Sequence, residues 1–273
     1  MGFTSTRMIK TAEEIALIAE ASAIVSDVLT LLKDYMAPGV TSMRLDEIAE
    51  EFIRSRGAEP AFKGHVVHGL AYPNTLCVSV NDAVVHGLPN NREMRDGDLV
   101  SLDVGVKKNG YYGDSAVTYM IGEPSPLQQK LMQVTHEALW LGIEQAVAGN
   151  RVFDISKAVQ QHVQANGFTV VRDLVGHGIG TTVHEEPAIP NFVPGPFHRH
   201  NYRNTPLQEG MVICIEPMVN AGTFKVETED DQWTVVTADG KPSAHYEHTV
   251  VVRPGQAEVL TRHTRIEEAA AHA

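Results

Sequence analysis

The chain has 273 residues, 43% of them hydrophobic, and a formal charge of -12. That is enough for one large domain with a real core, and the acidic balance argues against general binding to DNA, RNA or anionic lipid. Cys77 and Cys214 are the two cysteines and form no CxxC pair, which excludes a disulfide framework and fits a reducing cytoplasm.

The N-terminus lacks the blocks of a signal peptide. Residues 1–6, MGFTST, formally match a myristoylation pattern. Thr11-x-x-Glu14 is a capping box and predicts a helix to about Tyr35. Glu20 and Asp27 interrupt its apolar stretch, so it reads as amphipathic and not as a membrane span. A second helix is predicted from Ser42 to Arg56, stopped by Gly57. Strands follow at Leu99–Gly105 and Ala116–Ile121. Ser125, Pro126 and Gln128 open a third helix to about Val147, and a fourth runs from Phe153 to Asn166 with Gly167 as its stop. Another strand is predicted at Val212–Glu216.

The pattern repeats. Gly39–Gly57 and Gly149–Gly167 have equal length, aligning Leu45 with Ile155, Ala49 with Val159 and Ile53 with Val163. GDLVSLD (97–103) aligns with GMVICIE (210–216), setting Asp103 opposite Glu216. YYGDSAVTY aligns with AHYEHTVVV, setting Asp114 opposite Glu247. Amphipathic helices resemble one another by chance, but acidic residues at matched strand positions do not recur for that reason. The expectation is a single domain over 1–273, with halves at about 12–124 and 125–262, related by a pseudo-two-fold axis, and a flexible tail over 263–273.

Asp103, Asp114, His177, Glu216 and Glu247 sit in strand-like or Gly-flanked contexts. Lone charges among apolar neighbours are costly to bury, so such groups pair or hold metal. Four carboxylates and one imidazole exceed the three ligands typical of one open catalytic zinc. They suit two adjacent divalent ions sharing carboxylates, which can activate water for hydrolysis.

VNDAVVHGLP, SLDVGVKKNGYYGD, GHGIGTTVHEEP, EGMVICIEPMVN and AHYEHTVVV, in this order, resemble the type I methionine aminopeptidases. The resemblance runs from about Ile9 to Leu260. It implies an α+β pita-bread fold, a curved and largely antiparallel sheet with two outer helix pairs. It implies that Asp103, Asp114, His177, Glu216 and Glu247 ligate two ions (cobalt, manganese, iron or zinc), with Glu216 also moving a proton. By the same resemblance His184 steadies the carbonyl oxygen and His86 hydrogen-bonds the scissile amide or the departing amine. Tyr72, Cys77 and Trp233 line the methionine pocket. The implied activity is removal of the initiator methionine from nascent chains, with a small second residue preferred, by a cytoplasmic monomer.

The chain departs from the family pattern in three places. GHVVHGLAYP before Cys77 is longer than usual and lacks the first aromatic. Val183 stands where an aromatic is common. The stretch between His184 and Glu216 is extended and includes PGPFHRHNYRN, whose His198, Arg199, His200 and Arg203 form the one basic cluster. That cluster is either a solvated loop or a dock on the ribosome surface. Two other functions compete: an Xaa-Pro aminopeptidase or prolidase of the same fold, and a catalytically dead relative acting as a binding protein. Only 85 residues precede His86, which leaves little room for the large N-terminal domain usual in the former. No ligand position is lost, as would be expected of the latter.

Overall fold

The computed structural model describes residues 7–67, 69–195 and 201–263. Among them, four long helices form where caps and apolar spacing predict them. Helix α1 (Ala12–Lys33) opens at a complete Thr11/Glu14 capping box, and α3 (Pro126–Glu144) at a Ser125/Gln128 box with proline in its first turn. Helix α2 (Ser42–Ser55) is capped by the Thr41 side chain, and α4 (Val152–Ala165) completes the set. Helix α3 stops short of Val147 because the chain there turns to tertiary partners. Ala148 N–H donates to the Arg253 carbonyl at 3.0 Å and Gly149 N–H to that of Leu207 at 3.1 Å.

By length and composition α1 could cross a membrane. In the fold, Ile18, Val25, Val28, Leu29 and Leu32 are fully buried, while Glu20 and Asp27 stay exposed. Each such buried side chain contributes roughly 1.5–3 kcal/mol, so this stripe fixes α1 on the sheet. The helix positions aligned in the sequence are buried alike. Leu45, Ala49 and Ile53 of α2 and Ile155, Val159 and Val163 of α4 are all buried core. Both helices end before a left-handed glycine, Gly57 (φ 62°) and Gly167 (φ 86°).

The main sheet has nine strands among the described residues, paired antiparallel throughout. Its spine runs Glu59–Pro60, Leu99–Lys108, Tyr111–Met120, Glu247–Val251, Val212–Ile215, Gly176–Gly178, Glu185–Ile189. Leu76–Val80 adds to Leu99–Lys108, and Glu258–Val259 to Glu247–Val251. Between Tyr111–Met120 and Glu247–Val251, Ser115 pairs with His248 and Ala116 with Glu247. Asp114 and Glu247, aligned with each other in the sequence, thus each stand one residue from the Ser115–His248 pair.

Strict polar alternation is absent because both sheet faces are covered. Tyr119 Oη donates to the Leu29 carbonyl of α1 at 2.8 Å. The next-door Thr118 Oγ1 points the other way and donates to the His245 carbonyl at 2.7 Å. That second face carries Ser101, Asp103, Asp114 and Ala116, and the short strand Ser243–His245 closes over it.

Residue 263, the first of the expected tail, is packed into the fold. His263 is buried, its Nε2 2.9 Å from Ser115 Oγ, and its ring stacks on His248 at 4.9 Å. Residues 1–6 with the myristoylation pattern, His198, Arg199 and His200 of the basic cluster, and residues 264–273 lie outside the described residues.

Candidate metal centre and substrate pocket

Five neighbouring strands bring the candidate ligands together. Asp103 lies on Leu99–Lys108, two residues off register from Asp114 on the adjacent strand. Glu247 begins the next strand, Glu216 follows Val212–Ile215, and His177 sits on Gly176–Gly178. Ligand atoms of Asp103, Asp114 and Glu247 lie within 4.8 Å of one another, as do those of His177, Cys214 and Glu247. His177 Nε2 is 3.6 Å from Glu216 Oε1. Glu247 therefore belongs to both groups, the position a bridging carboxylate would take.

The electrostatics of this cluster call for cations. Asp103 Oδ1, Asp114 Oδ1 and Glu247 Oε1 are buried without a hydrogen-bond partner. Burial and mutual repulsion push Asp103, Glu216 and Glu247 well above the usual carboxylate range, and burial raises Asp114 to about 7. No lysine or arginine is among the described residues lining the cavity. A buried cluster of like charges without counter-charge is strongly unfavourable, and hard divalent ions satisfy oxygen donors of this kind. The imidazole fits as well. His177 Nδ1 lies 2.9 Å from the Gly178 carbonyl, to which its N–H donates, leaving the Nε2 lone pair directed at Glu216. Burial lowers its pKa to about 4, so it is neutral and able to ligate.

The other two expected histidines face the same cavity. His184 packs edge-on to His177, ring centroids 4.6 Å apart, and burial holds its pKa well below the usual value. His86 is half-buried, its pKa lowered to about 4 chiefly by desolvation, and it takes a left-handed φ of 58°. A non-glycine residue there is uncommon and requires support from its surroundings. Support comes from Gly87, whose N–H donates to Ser79 Oγ at 3.2 Å and whose carbonyl accepts from Val78 N–H at 2.8 Å. A Cβ on Gly87 would lie 2.2 Å from the Val78 carbonyl oxygen, so only glycine permits this approach.

The cavity measures about 480 Å³. Tyr72, Cys77 and Trp233 line it as expected, with Tyr72 and Trp233 in edge contact at 5.0 Å. Tyr72 Oη also donates to the carbonyls of Leu76 (2.9 Å) and Gly87 (3.0 Å), which ties the pocket wall to the His86 turn. Val183 is buried but is not among the lining residues.

Several site residues escape the sequence reading. Phe62, His65 and Leu70, around the altered loop, line the cavity, and the His65 ring lies tilted against that of His184, centroids 5.6 Å apart. Met218 adds an apolar wall. His245 is buried with both ring nitrogens unpartnered, its Nε2 3.7 Å from Glu216 Oε2. Its position two residues before Glu247, on the same face of an extended chain, is the one local signal that could have marked it.

Comparison with known proteins agrees with this geometry. The model of metallopeptidase family M24 matches residues 16–254. The chain is 51% identical to the methionine aminopeptidase of Clostridium perfringens and 45% identical to methionine aminopeptidase 1 of Bacillus subtilis, covering 93% of this chain and 98% of the relative in each case. The crystal structure of the Thermotoga maritima methionine aminopeptidase superposes with a TM-score of 0.87 at 39% identity, over 93% of this chain and 98% of that one. The prolidase of Pyrococcus furiosus superposes at 0.74 with 25% identity, and this chain spans 66% of its length. With matched sequence, matched fold and a buried acidic centre suited to divalent ions, the chain belongs to metallopeptidase family M24, among its methionine aminopeptidases.

Proposed function

We propose that this protein hydrolyses the first peptide bond of methionyl polypeptides, releasing the N-terminal methionine. The carrying observation is that Asp103, Asp114, Glu247, His177 and Glu216 cluster on the wall of one cavity. Nearly full coverage of the methionine aminopeptidase relatives supports this reading over the Xaa-Pro alternative, whose representatives are longer and more distant. The complete ligand set argues against a catalytically dead relative.

Asp103, Asp114, His177, Glu216 and Glu247 would hold the divalent ions. When bound, the ions supply an activated water and a positive charge for the carbonyl oxygen. Glu216 accepts the proton that the attacking water loses and returns it to the leaving amine. The neutral His184 donates a hydrogen bond to the carbonyl oxygen as charge develops there. His86 holds the scissile amide or its departing nitrogen. Tyr72, Cys77, Trp233 and Met218 enclose the methionine side chain in apolar, polarizable surroundings. A small second residue is preferred.

The acting unit is one catalytic domain with halves at about 12–124 and 125–262, working as a cytoplasmic monomer on nascent-chain N-termini. Its basic cluster, His198 to Arg203, docks on the ribosome surface. Charge reversal of Arg199 and Arg203, with ribosome binding measured against salt, tests the docking, and unchanged binding defeats it. The activity itself is tested with Met-Ala-Ser and Xaa-Pro peptides in added manganese or cobalt. Cleavage after methionine alone is expected. Turnover of Xaa-Pro peptides alone would overturn the reading.

A further inference from the structure

We propose that Lys10 is a positioning residue for His184. It neutralises Glu185 in a buried ion pair, and that pair sets the turn from which His184 projects. The inference rests on the reading of His184 as the hydrogen-bond donor to the reacting carbonyl.

Lysine and glutamate are almost never fully buried unless paired. Here the Lys10 side chain is 5% exposed and that of Glu185 1%, with Nζ 2.5 Å from Oε2. The ammonium also donates to the Arg7 carbonyl at 2.7 Å. The other carboxylate oxygen of Glu185 turns toward the chain before His184. Its Oε1 accepts from the backbone N–H of Thr181 at 2.8 Å and of Thr182 at 3.2 Å. Thr182 Oγ1 in turn donates to the His184 carbonyl at 3.2 Å. One carboxylate thus joins the N-terminal arm to the backbone on the near side of the catalytic imidazole.

The arm itself is fixed at the metal side of the site. Lys10 N–H donates to the Gly210 carbonyl at 2.9 Å, and Ile9 bridges Met211, at the start of the strand that leads to Glu216. The 180–184 turn also passes hard against the pair. A Cβ on Gly180 would lie 2.7 Å from Lys10 Nζ and 2.8 Å from Glu185 Oε1. An apolar pair of similar volume often stabilises a fold as well as a buried ion pair does. What the charged pair adds is directed bonding, and its bonds run to the backbone that carries His184. An orienting shell of this kind sets catalytic geometry, where displacements of an ångström change rates about a hundredfold.

The experiment compares Lys10→Met, Glu185→Gln, the double variant and His184→Ala in the full-length, metal-loaded protein. Lys10→Met should lower kcat on a methionyl tripeptide by about tenfold or more. Manganese affinity by calorimetry and KM should stay within about twofold. The histidine-ring NMR signal of His184, read on the metal-free protein because manganese is paramagnetic, should shift. In Lys10→Met/Glu185→Gln the stranded charge is gone while the amide oxygen still accepts from Thr181 and Thr182, so kcat and the His184 signal should return most of the way. A folded Lys10→Met protein with wild-type kcat, beside an impaired His184→Ala, overturns the positioning role alone. A fully active His184→Ala overturns the reading of His184 beneath it. If Lys10→Met does not fold, Glu185→Gln carries the test: a fall in kcat at unchanged manganese affinity supports the role, and a wild-type kcat overturns it.

Discussion

Ser115 pairs with His248 where Tyr111–Met120 meets Glu247–Val251, and one residue from this pair on each strand stand Asp114 and Glu247. Register, not proximity in sequence, therefore brings these two carboxylates together. Thr249 Oγ1 locks the alignment by donating to the Asp114 carbonyl at 2.7 Å. Ser115 Oγ donates to the Glu247 carbonyl across the same strand pair. A slip of one strand by one residue would turn its acid to the helix-covered face and part it from the other.

Asp114→Ala should remove divalent-ion binding at one or both positions and nearly all hydrolysis. Metal stoichiometry on the purified variant, read beside turnover of Met-Ala-Ser, checks this. Full metal content would contradict the assignment of Asp114 as a ligand.

His86→Ala and His184→Ala should keep their metal and lose about a hundredfold or more in kcat, as expected for catalytic hydrogen-bond donors. Loss of metal from either variant would show that its imidazole is a ligand.

Metal affinity should weaken as pH falls below about 7, because the raised carboxylates must lose protons before they ligate. In the metal-free protein the folded pKa of Asp114, about 7, stands above its unfolded value of about 4. The folded state then binds more protons across that window, and this group's stabilising contribution is lost as pH rises through about 7. The neutral histidines act in the opposite sense: His86 and His177, folded at about 4, reduce stability as pH falls from about 6.5 toward 4. About one unit above pH 6.5 the unfolded imidazoles are neutral as well, and the carboxylates prevail. Melting of the metal-free protein should therefore drop as pH rises from about 7.5 to 8.5, and added manganese should raise the melting temperature most at the alkaline end. A metal-free Tm that is flat or rises over this range would refute the account.

Tyr72→Phe removes one hydroxyl from two buried carbonyls and should cost about 1–3 kcal/mol. Because one of those carbonyls belongs to Gly87, kcat should fall along with stability. Trp233→Ala should instead raise KM for methionyl peptides and leave metal content unchanged. Denaturant melts and steady-state kinetics separate the two effects.

The helices and the repeat were legible in the sequence because capping and amphipathic spacing are local. Thr11 with Glu14 and Ser125 with Gln128 act over three residues, and the Leu45–Ile53 and Ile155–Val163 stripes each need only one helix face. The five acidic and imidazole groups could also be picked out, since charge inside apolar strands is chemically conspicuous. Helix ends were less legible, as at α3, where tertiary bonds to Arg253 and Leu207 override the local pattern.

The sequence alone thus determined which residues could hold a divalent centre and where the helices that flank it begin. Only the tertiary structure decided that Phe62, His65 and Met218 wall the cavity, that His245 stands beside Glu216, and that Lys10 reaches Glu185 across 175 residues of chain. The physical reason is one of range. Hydrogen-bonded periodicity is written in neighbours a few residues apart. The shape of a cavity and the pairing of buried charges depend on which distant segments packing brings into contact, and no local pattern encodes that.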